Sequence, residues 1–188
     1  MRVISGKFRS RPLRSLRGMD TRPTADRLRE TLFDVLTSGD PHALEDTVWL
    51  DLYAGTGAVG IEALSRGARM VYFIDSAAGA VATIRENLRS LGIRDGFEVQ
   101  ERDTVRALRL LDSEAVACDY CFLDPPYRDQ EAYADALSFL STSRLLSPQS
   151  RVIAEHERRF DPGDQFGALR RFRVLEQGDA GLSFYRLE

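Results

Sequence analysis

The sequence predicts an α/β fold in which a mostly parallel sheet is covered by helices on both faces and ends in an antiparallel edge. From Thr47 onward, short apolar segments alternate with longer segments whose apolar residues recur at helical spacing. The short segments are almost continuously apolar, which is typical of strands buried on both faces. The chain has 188 residues, of which 43% are hydrophobic, so it can bury one sizeable core.

A basic arm or hairpin is expected at residues 1–22, ahead of a main domain at residues 23–188. A helix should follow Pro23, with Thr24 as its cap. The pattern then predicts seven strands with helices between most of them, at residues 48–53, 70–75, 97–100, 120–124, 151–155, 171–175 and 182–187. No helical pattern separates the last two strands, which predicts the antiparallel edge.

Composition excludes several classes of protein. Charged residues interrupt every apolar stretch before the ~18 residues of a membrane span, and the N-terminus lacks the apolar region of a signal peptide. Two cysteines, Cys118 and Cys121, are too few for a disulfide framework, and we expect both to be packing residues of a strand. No cluster of metal ligands is apparent, so no metal site is expected. These features predict a cytoplasmic protein.

Charge is distributed unevenly along the chain. Nine arginine and lysine residues against three acids give residues 1–30 a net charge of +6, whereas the whole chain carries −3. A basic segment on an acidic body predicts a polyanionic partner such as RNA, with a merely solvated terminus as the alternative. The candidate RNA-binding residues are Arg2, Lys7, Arg9, Arg11, Arg22 and Arg29.

A glycine pattern follows the first strand of the main domain. Residues 51–60 read Asp-Leu-Tyr-Ala-Gly-Thr-Gly-Ala-Val-Gly, which contains G-x-G-x-x-G between a strand and a helix. Gly55 and Gly57 let the backbone turn tightly and let a ligand approach closely. Asp75 ends the next strand, where a carboxylate can accept hydrogen bonds from ribose hydroxyls. The pattern predicts a cofactor that contains a nucleoside, with a purely structural turn as the alternative.

Asp51 indicates which nucleoside cofactor binds. A dinucleotide would place its pyrophosphate at this turn, where a carboxylate a few ångström away would oppose it by roughly 4 kcal/mol. S-adenosylmethionine carries two cationic groups and no phosphate, so Asp51 favours it; the alternative is that Asp51 caps the loop or helix. Tyr53 is a further candidate cofactor-binding residue. Asp103 is expected to accept from the adenine amino group, or only to cap the helix that follows it.

The most specific pattern follows the fourth predicted strand. Asp124-Pro125-Pro126-Tyr127 places two residues without amide donors at a strand exit, which makes a rigid turn rich in acceptors. The Asp124 carboxylate and the Pro125 carbonyl can accept both hydrogens of one planar amino group, while the Tyr127 ring stacks on the base. This grip localises the nitrogen lone pair and aims it at an electrophilic methyl group. The alternative is an ordinary turn.

Together these residues resemble the class I S-adenosylmethionine-dependent methyltransferases, whose fold is Rossmann-like with a seven-stranded sheet. Residues 51–57 resemble the first motif of that superfamily, and residues 124–127 resemble the fourth motif of members that methylate exocyclic amino groups. Residues 2–6, 22–33 and 60–67 more narrowly resemble the RsmD family. That family consists of bacterial enzymes that methylate the 2-amino group of one guanine in 16S ribosomal RNA.

The resemblance implies roles for particular residues and partners. It implies that Asp75 binds the cofactor ribose, Asp103 the adenine, and residues 124–127 the target base. It further implies S-adenosylmethionine as the cofactor and S-adenosylhomocysteine as its product. The implied partner is 16S ribosomal RNA, in a 30S particle or an assembly intermediate, and we expect the enzyme to act as a monomer.

Three other functions fit parts of the pattern. A DNA adenine amino-methyltransferase would use the same turn at Asp124, although 188 residues leave no room for a separate DNA-recognition domain. A nicotinamide-dependent reductase would use the glycine pattern and Asp75, but Asp51 and Asp124 argue against it. A non-catalytic RNA-binding module would leave the glycine turn unexplained.

Overall fold

The computed structural model describes residues 1–16, 23–126 and 128–188, so the predictions for Arg22 and Tyr127 lie outside the described residues. The helices are α1 (Pro23–Leu36), α2 (Ala58–Ser65), α3 (Ala78–Leu91), α4 (Thr104–Ser113) and α5 (Glu131–Thr142). The strands are β1 (Val48–Leu52), β2 (Met70–Asp75), β3 (Phe97–Glu101), β4 (Cys118–Leu123), β5 (Leu146–Glu157), β6 (Gln165–Phe166), β7 (Leu169–Gln177) and β8 (Ala180–Leu187).

All eight strands form one sheet, in the order β3-β2-β1-β4-β5-β8-β7-β6. The first five strands pair in parallel, and β8 and β7 add an antiparallel edge to β5. The predicted α/β class, the parallel sheet and its antiparallel edge are therefore confirmed. The expected number of seven strands is wrong by one, because the two-residue strand β6 is too short to show a sequence period.

Helices cover the sheet on both faces and create two cores. On one face, Leu32 of α1 and Ile84 of α3 pack in a cluster with Trp49 of β1. On the other face, Leu108 of α4 and Leu137 of α5 pack in a second cluster. Burial on both sides explains why all five residues of β1 are buried and why the strand is continuously apolar around one acid.

Helix α1 begins at Pro23 itself and not after it, because proline is favoured in the first turn, where its missing N–H costs nothing. Thr24 lies inside the helix, so its expected position as the cap is wrong. The sequence predicts an apolar stripe of Leu28, Leu32 and Val35 on α1; Leu28 and Leu32 are buried together with Phe33, and Val35 is partly buried against the same cluster. Phe33 stacks on Trp49, with ring centroids 5.4 Å apart, and so fixes α1 against the sheet.

The N-terminal arm forms the predicted short hairpin and packs against the main domain. Arg2 pairs with Pro12 in an antiparallel bridge, and the Val3 N–H donates to the Arg11 carbonyl at 3.0 Å. Val3 and Leu13 are buried in the same cluster as α1, so the hairpin is part of the core on that face. The boundary at residue 22 stays a prediction, since residues 17–22 lie outside the described part of the chain.

Buried Glu62 of α2 fastens the tip of the arm. Its carboxylate accepts from the N–H groups of Ile4 at 2.7 Å and Ser5 at 2.9 Å, and from the Arg66 guanidinium at 2.8 Å. Gly6 lies so close to α2 that an added Cβ would come within 1.8 Å of the Ser65 carbonyl oxygen. Only glycine fits there, which shows how tightly the arm follows the helix.

Asn87 of α3 connects the arm to the glycine turn. This fully buried amide accepts from the Arg14 N–H at 2.7 Å and donates to the Thr56 carbonyl at 2.9 Å. A single side chain therefore holds the end of the arm beside the turn that follows β1. The basic segment and the predicted cofactor site are parts of one packed unit.

Candidate active site

A cavity of about 1070 Å³ opens at the carboxyl ends of the central parallel strands. This position is the one expected for ligands of such sheets. Its acidic lining residues are Asp51, Asp75, Asp124 and Glu155, from four different strands. The arm contributes Met1 to the wall, and α1 contributes Arg29.

The two glycines of the turn serve different purposes. Gly55 has a φ of +57°, lines the cavity, and has only the Tyr53 carbonyl oxygen, at 3.9 Å, near the position of a Cβ. Gly57 has a φ of +74°, but its Cβ would point into the core, 3.2 Å from Ile84 and Phe73. The turn directs a side chain at Gly57 toward α3 and β2, and Gly57 does not line the cavity, so a close approach of a ligand there stays a prediction. Gly55 is the glycine of this pair that lines the cavity.

Asp75 holds the glycine turn in place. One of its carboxylate oxygens accepts from the Gly55 N–H at 2.9 Å, and the other accepts from the Ala77 N–H at 2.8 Å. Each oxygen retains a second lone pair, since a carboxylate can accept about four hydrogen bonds. Asp75 can therefore bind a ribose hydroxyl while it fixes the turn.

Asp51 both caps α2 and places a buried carboxyl group at the cavity. Its carboxylate accepts from the Gly60 N–H at 2.9 Å, which is the capping contact expected as the alternative role. Burial, aided by the nearby carboxylates of Asp124 and Asp75, raises the pKa of Asp51 to about 8 against the opposing effect of the Gly60 hydrogen bond. A cation placed among these acids would lower that pKa, so the site favours a positively charged ligand.

Asp124 follows β4 directly, and burial raises its pKa to about 7. Pro125 is buried behind it, and both Pro125 and Pro126 line the cavity, as the sequence predicts for a rigid turn at a strand exit. Arg128 lies on the far side of the turn and lines the cavity too. Pro125 and Pro126 carry no N–H, so the turn itself offers acceptors to the cavity, and Arg128 offers donors beside it.

Glu155 is a site residue that the sequence pattern does not reveal. It lies inside a strand that continues to Glu157, whereas Asp75 ends its strand and Asp124 directly follows its strand. The register pairs Leu123 with Ala154, so Glu155 is the neighbour of Asp124 across the sheet. Burial raises the pKa of Glu155 well above its ordinary range, the charge of Asp124 raises it further, and the charge of Arg29 lowers it.

Arg29 is buried, contrary to the expectation that it contacts RNA. Its side chain donates to the Arg2 carbonyl at 2.6 Å and to Asp26 at 3.2 Å, and the residue is only 6% exposed. Its Nε–H has no hydrogen-bond partner among the described residues. Burial lowers the pKa of the guanidinium, while Asp26, Glu62 and Glu155 oppose that shift. Arg29 compensates buried acids and is not accessible to phosphates.

The remaining predicted residues lie at the edge of the cavity or outside it. Tyr53 lines the cavity, with a φ of +58°. Asp103 caps α4 through its hydrogen bond from the Arg106 N–H at 3.1 Å and does not line the cavity. The structure shows the capping alternative for Asp103, and its contact with adenine stays a prediction. Exposed cations of the described part of the arm are Arg2, Lys7, Arg9, Arg11 and Arg14, the last of which pairs with Glu86.

The described part of the chain contains no group of three or more histidine, cysteine or acidic side chains placed to hold a metal ion. Cys118 and Cys121 are free and buried among the apolar residues around β4, as predicted for packing residues. None of the described helices is long and apolar enough to cross a membrane.

Replacement of Asp51 by asparagine tests the charge of the cavity. The ordinary aspartate pKa is about 3.9, so between pH 4 and pH 8 the unfolded chain releases a proton that the folded chain retains, and stability falls as the pH rises. Asp51→Asn keeps an acceptor for Gly60 and removes the charge. Without ligand, we expect it to raise the free energy of unfolding at pH 8 by roughly 1–3 kcal/mol, with little change at pH 4.

Urea unfolding at the two pH values measures this difference. Asp46→Asn is the matched control, because the Asp46 side chain is 85% exposed. If the free energy of unfolding changed equally between pH 4 and pH 8 in the two variants, Asp51 would not be held protonated in the folded protein.

Comparisons with known proteins agree with this geometry. The family model described as Conserved hypothetical protein 95 matches residues 1–186. The chain is 34% identical to YlbH of Bacillus subtilis (strain 168), over 99% of this chain and 98% of the relative. It is 33% identical to the protein named Ribosomal RNA small subunit methyltransferase D of Haemophilus influenzae, over 100% of this chain and 92% of that protein.

Solved structures share the fold. A protein of Thermus thermophilus superimposes with a TM-score of 0.80 at 23% identity, covering 98% of both chains. A structure described as the SAM Dependent Methyltransferase from Agrobacterium tumefaciens superimposes with a TM-score of 0.65 at 15% identity, over 91% of this chain and 64% of that one. The fold is thus that of known methyltransferases. Because the family model and both sequence relatives extend over almost the entire length, the chain belongs to the RsmD family.

Proposed function

We propose that this protein transfers a methyl group from S-adenosylmethionine to the exocyclic 2-amino group of a guanine in 16S ribosomal RNA. The observation that carries the proposal is the acceptor-rich turn of Asp124, Pro125 and Pro126 on the wall of an acidic cavity. Membership of the RsmD family and the name of the Haemophilus influenzae relative support ribosomal RNA as the substrate.

The cavity fits the cofactor through its own residues. Asp75 would bind the ribose, Gly55 would allow the close approach, and the acids around Asp51 would attract the ammonium and sulfonium groups. S-adenosylmethionine supplies an electrophilic methyl group when bound. A pyrophosphate would meet Asp51, Asp75 and Asp124 at close range, so a dinucleotide fits poorly.

The target amino group would lie against the turn that follows β4. The Asp124 carboxylate and the Pro125 carbonyl would accept its two hydrogens, and Tyr127 would stack on the base. With both hydrogens held by Asp124 and Pro125, the nitrogen lone pair would be directed at the methyl group that the cofactor would supply, and the cofactor sulfur would leave with the electron pair of its bond to that carbon. The methylated nitrogen is acidic, and its proton can leave to the Asp124 carboxylate, whose pKa of about 7 suits a transient acceptor.

A ribosomal RNA substrate also suggests how the RNA is held and where the enzyme acts. Exposed cations of the arm, Arg2, Lys7, Arg9 and Arg11, would hold phosphates of the RNA. A ribosomal RNA substrate places the enzyme in the cytoplasm and its partner in a 30S particle or an assembly intermediate. We propose that the enzyme acts as a monomer.

The chemistry is tested by Asp124→Ala. Loss of one preorganised contact to the transition state should lower the single-turnover methylation rate by about 10²–10³-fold. Affinity for S-adenosylhomocysteine should change far less, because Asp124 faces the base. The assay uses 16S RNA and 30S particles with radiolabelled cofactor, followed by mass spectrometry of the nucleosides.

The matched control is Glu131→Ala, which removes an exposed acid from the first turn of α5. A wild-type rate for Asp124→Ala would refute the role of the turn. If the wild-type enzyme made N6-methyladenine in DNA and no N2-methylguanosine in RNA, the proposed RNA substrate would be refuted.

The placement of the cofactor is tested by comparing two glycines. Gly55→Asn should abolish S-adenosylhomocysteine binding in calorimetry while the protein stays folded, because asparagine tolerates a positive φ and the position faces the open cavity. Gly57→Val should instead lower the unfolding temperature, since its side chain meets Ile84 and Phe73. Normal cofactor affinity in Gly55→Asn would exclude this cavity as the cofactor site.

The RNA role of the arm is tested by the double variant Lys7→Gln with Arg9→Gln. A deletion is unsuitable, because Val3 and Leu13 belong to the core. The slope of log affinity against log salt should become shallower by about 0.7–0.9 for each RNA phosphate that the variant no longer neutralises. Arg144→Gln, on a side chain 70% exposed and far along the chain, is the control. If the salt dependence of RNA affinity were unchanged in the double variant, the arm would be a solvated segment that does not bind RNA.

A further inference from the structure

An exposed group of arginine and phenylalanine side chains lies on the antiparallel edge of the sheet. We call it the Arg–Phe patch, and its members are Arg151, Arg170, Phe172, Arg173 and Arg186. They come from β5, β7 and β8. Within the described residues, the large hydrophobic side chains that remain exposed are Phe172, at 42%, and Val174, at 46%, both on β7. This concentration on one strand sets the region apart from the rest of the surface.

A β-bulge exposes the ring at the centre of the patch. The pairing of β7 with β8 shifts register between Arg171 and Arg173, so Phe172 is the extra residue. Its ring contacts Phe184 below, with centroids 6.3 Å apart, while the rest of the ring faces outward. An apolar ring held outward by an irregularity of the backbone is costly unless something covers it.

Guanidinium groups surround this ring. Arg151 lies 5.7 Å and Arg186 lies 5.3 Å from the Phe172 centroid, in cation–π contact. Arg173 lies over Phe184 at 5.9 Å and makes neither an ion pair nor a side-chain hydrogen bond within the described chain. The patch is therefore flat and cationic.

Little negative charge offsets these arginines. Glu188 accepts from Arg186 at 3.0 Å and from Arg170 at 3.4 Å, and is their shared partner. Arg151 donates to the carbonyls of residues 148–150 and pairs with no acid within the described chain. Four cations against one acid leave a local positive charge on a chain whose net charge is −3.

The patch lies on the same face of the sheet as the reaction cavity. Side chains alternate along a strand, so Arg151 and Glu155 of β5 point to one face, about 13 Å apart at the ordinary rise of a strand. On β8, Arg186 and Leu182 share that face in the same way. Glu155 and Leu182 line the cavity. An RNA strand that leaves the cavity along β5 and β8 would meet the patch.

We infer that the Arg–Phe patch binds an unpaired segment of the substrate RNA next to the target guanine. Bases would stack on Phe172 and on the guanidinium planes, and phosphates would pair with the arginines. This combination of planar cations and an exposed ring is complementary to single-stranded nucleic acid, while a protein partner would need an acidic surface. The inference rests on the proposed function and extends it from the target base to its flanking nucleotides.

The central test is Phe172→Ala, assayed for RNA binding and for methylation. Loss of one stacked base should weaken binding of a fluorescent 16S RNA fragment and raise the RNA half-saturation concentration, each by about 10-fold. The turnover rate at saturating RNA and the affinity for S-adenosylhomocysteine should stay unchanged, because the ring is remote from the reacting atoms. Phe172→Trp keeps a flat ring and should retain wild-type binding.

Charge is tested separately with Arg151→Gln and Arg186→Gln. Each should make the dependence of RNA affinity on salt shallower by about 0.7–0.9, the share of one neutralised phosphate. Arg109→Gln is the matched control, because Arg109 is exposed on α4, on the opposite face of the sheet. Its salt slope should equal that of the wild type.

Several outcomes would overturn the inference. Wild-type RNA affinity in Phe172→Ala, with equal slopes in all arginine variants, would exclude an RNA site. Normal binding of naked RNA with a defect only on 30S particles would assign the patch to a protein. A wild-type dimer in sedimentation that Phe172→Ala abolishes would assign it to a second copy. RNA binding can be measured without methyl transfer, so failure of the proposed reaction is distinguished from failure of the patch.

Discussion

The parallel register of the central strands is the constraint on which the rest of the structure depends. Because these strands run in the same direction, β1, β2, β4 and β5 bring Asp51, Asp75, Asp124 and Glu155 to one cavity. Burial opposes ionisation and raises the pKa of Asp124 to about 7, and burial together with neighbouring like charges raises the pKa of Asp51 to about 8. The cavity is thus poised to bind cations and amino groups, and that preference connects the fold to methyl transfer.

The neighbouring elements serve to maintain this acidic site. Asp75 binds the N–H of Gly55, and Asp51 binds the N–H of Gly60, so two of the acids also shape the glycine turn. Arg29 supplies a buried positive charge opposite Glu155. Asn87 ties the arm to the same turn, so the basic arm and the glycine turn belong to one hydrogen-bonded framework.

Much of the site could be predicted because its residues end strands or form turns. Apolar runs mark the strands, and the acids and glycines that follow them mark the carboxyl edge. Glu155 could not be predicted in this way, because it lies within a strand and reaches the site only through the pairing of β5 with β4. For Arg29 the sequence gives the wrong prediction. Its position in a basic segment predicts an exposed RNA-binding residue, whereas its side chain is buried.

The sequence by itself therefore determined the α/β class, the order of the main elements, the glycine turn and the acceptor turn at Asp124, because these depend on local periodicity and on residue types. Tertiary structure alone decided which way each side chain faces. It turned Gly57 toward Ile84 and left Gly55 at the cavity, and it used Asp103 as a helix cap. The tertiary structure also exposes Phe172 at a β-bulge, where arginine side chains surround its ring. The direction in which a side chain faces depends on contacts between residues far apart in the chain, so a local sequence pattern cannot predict it.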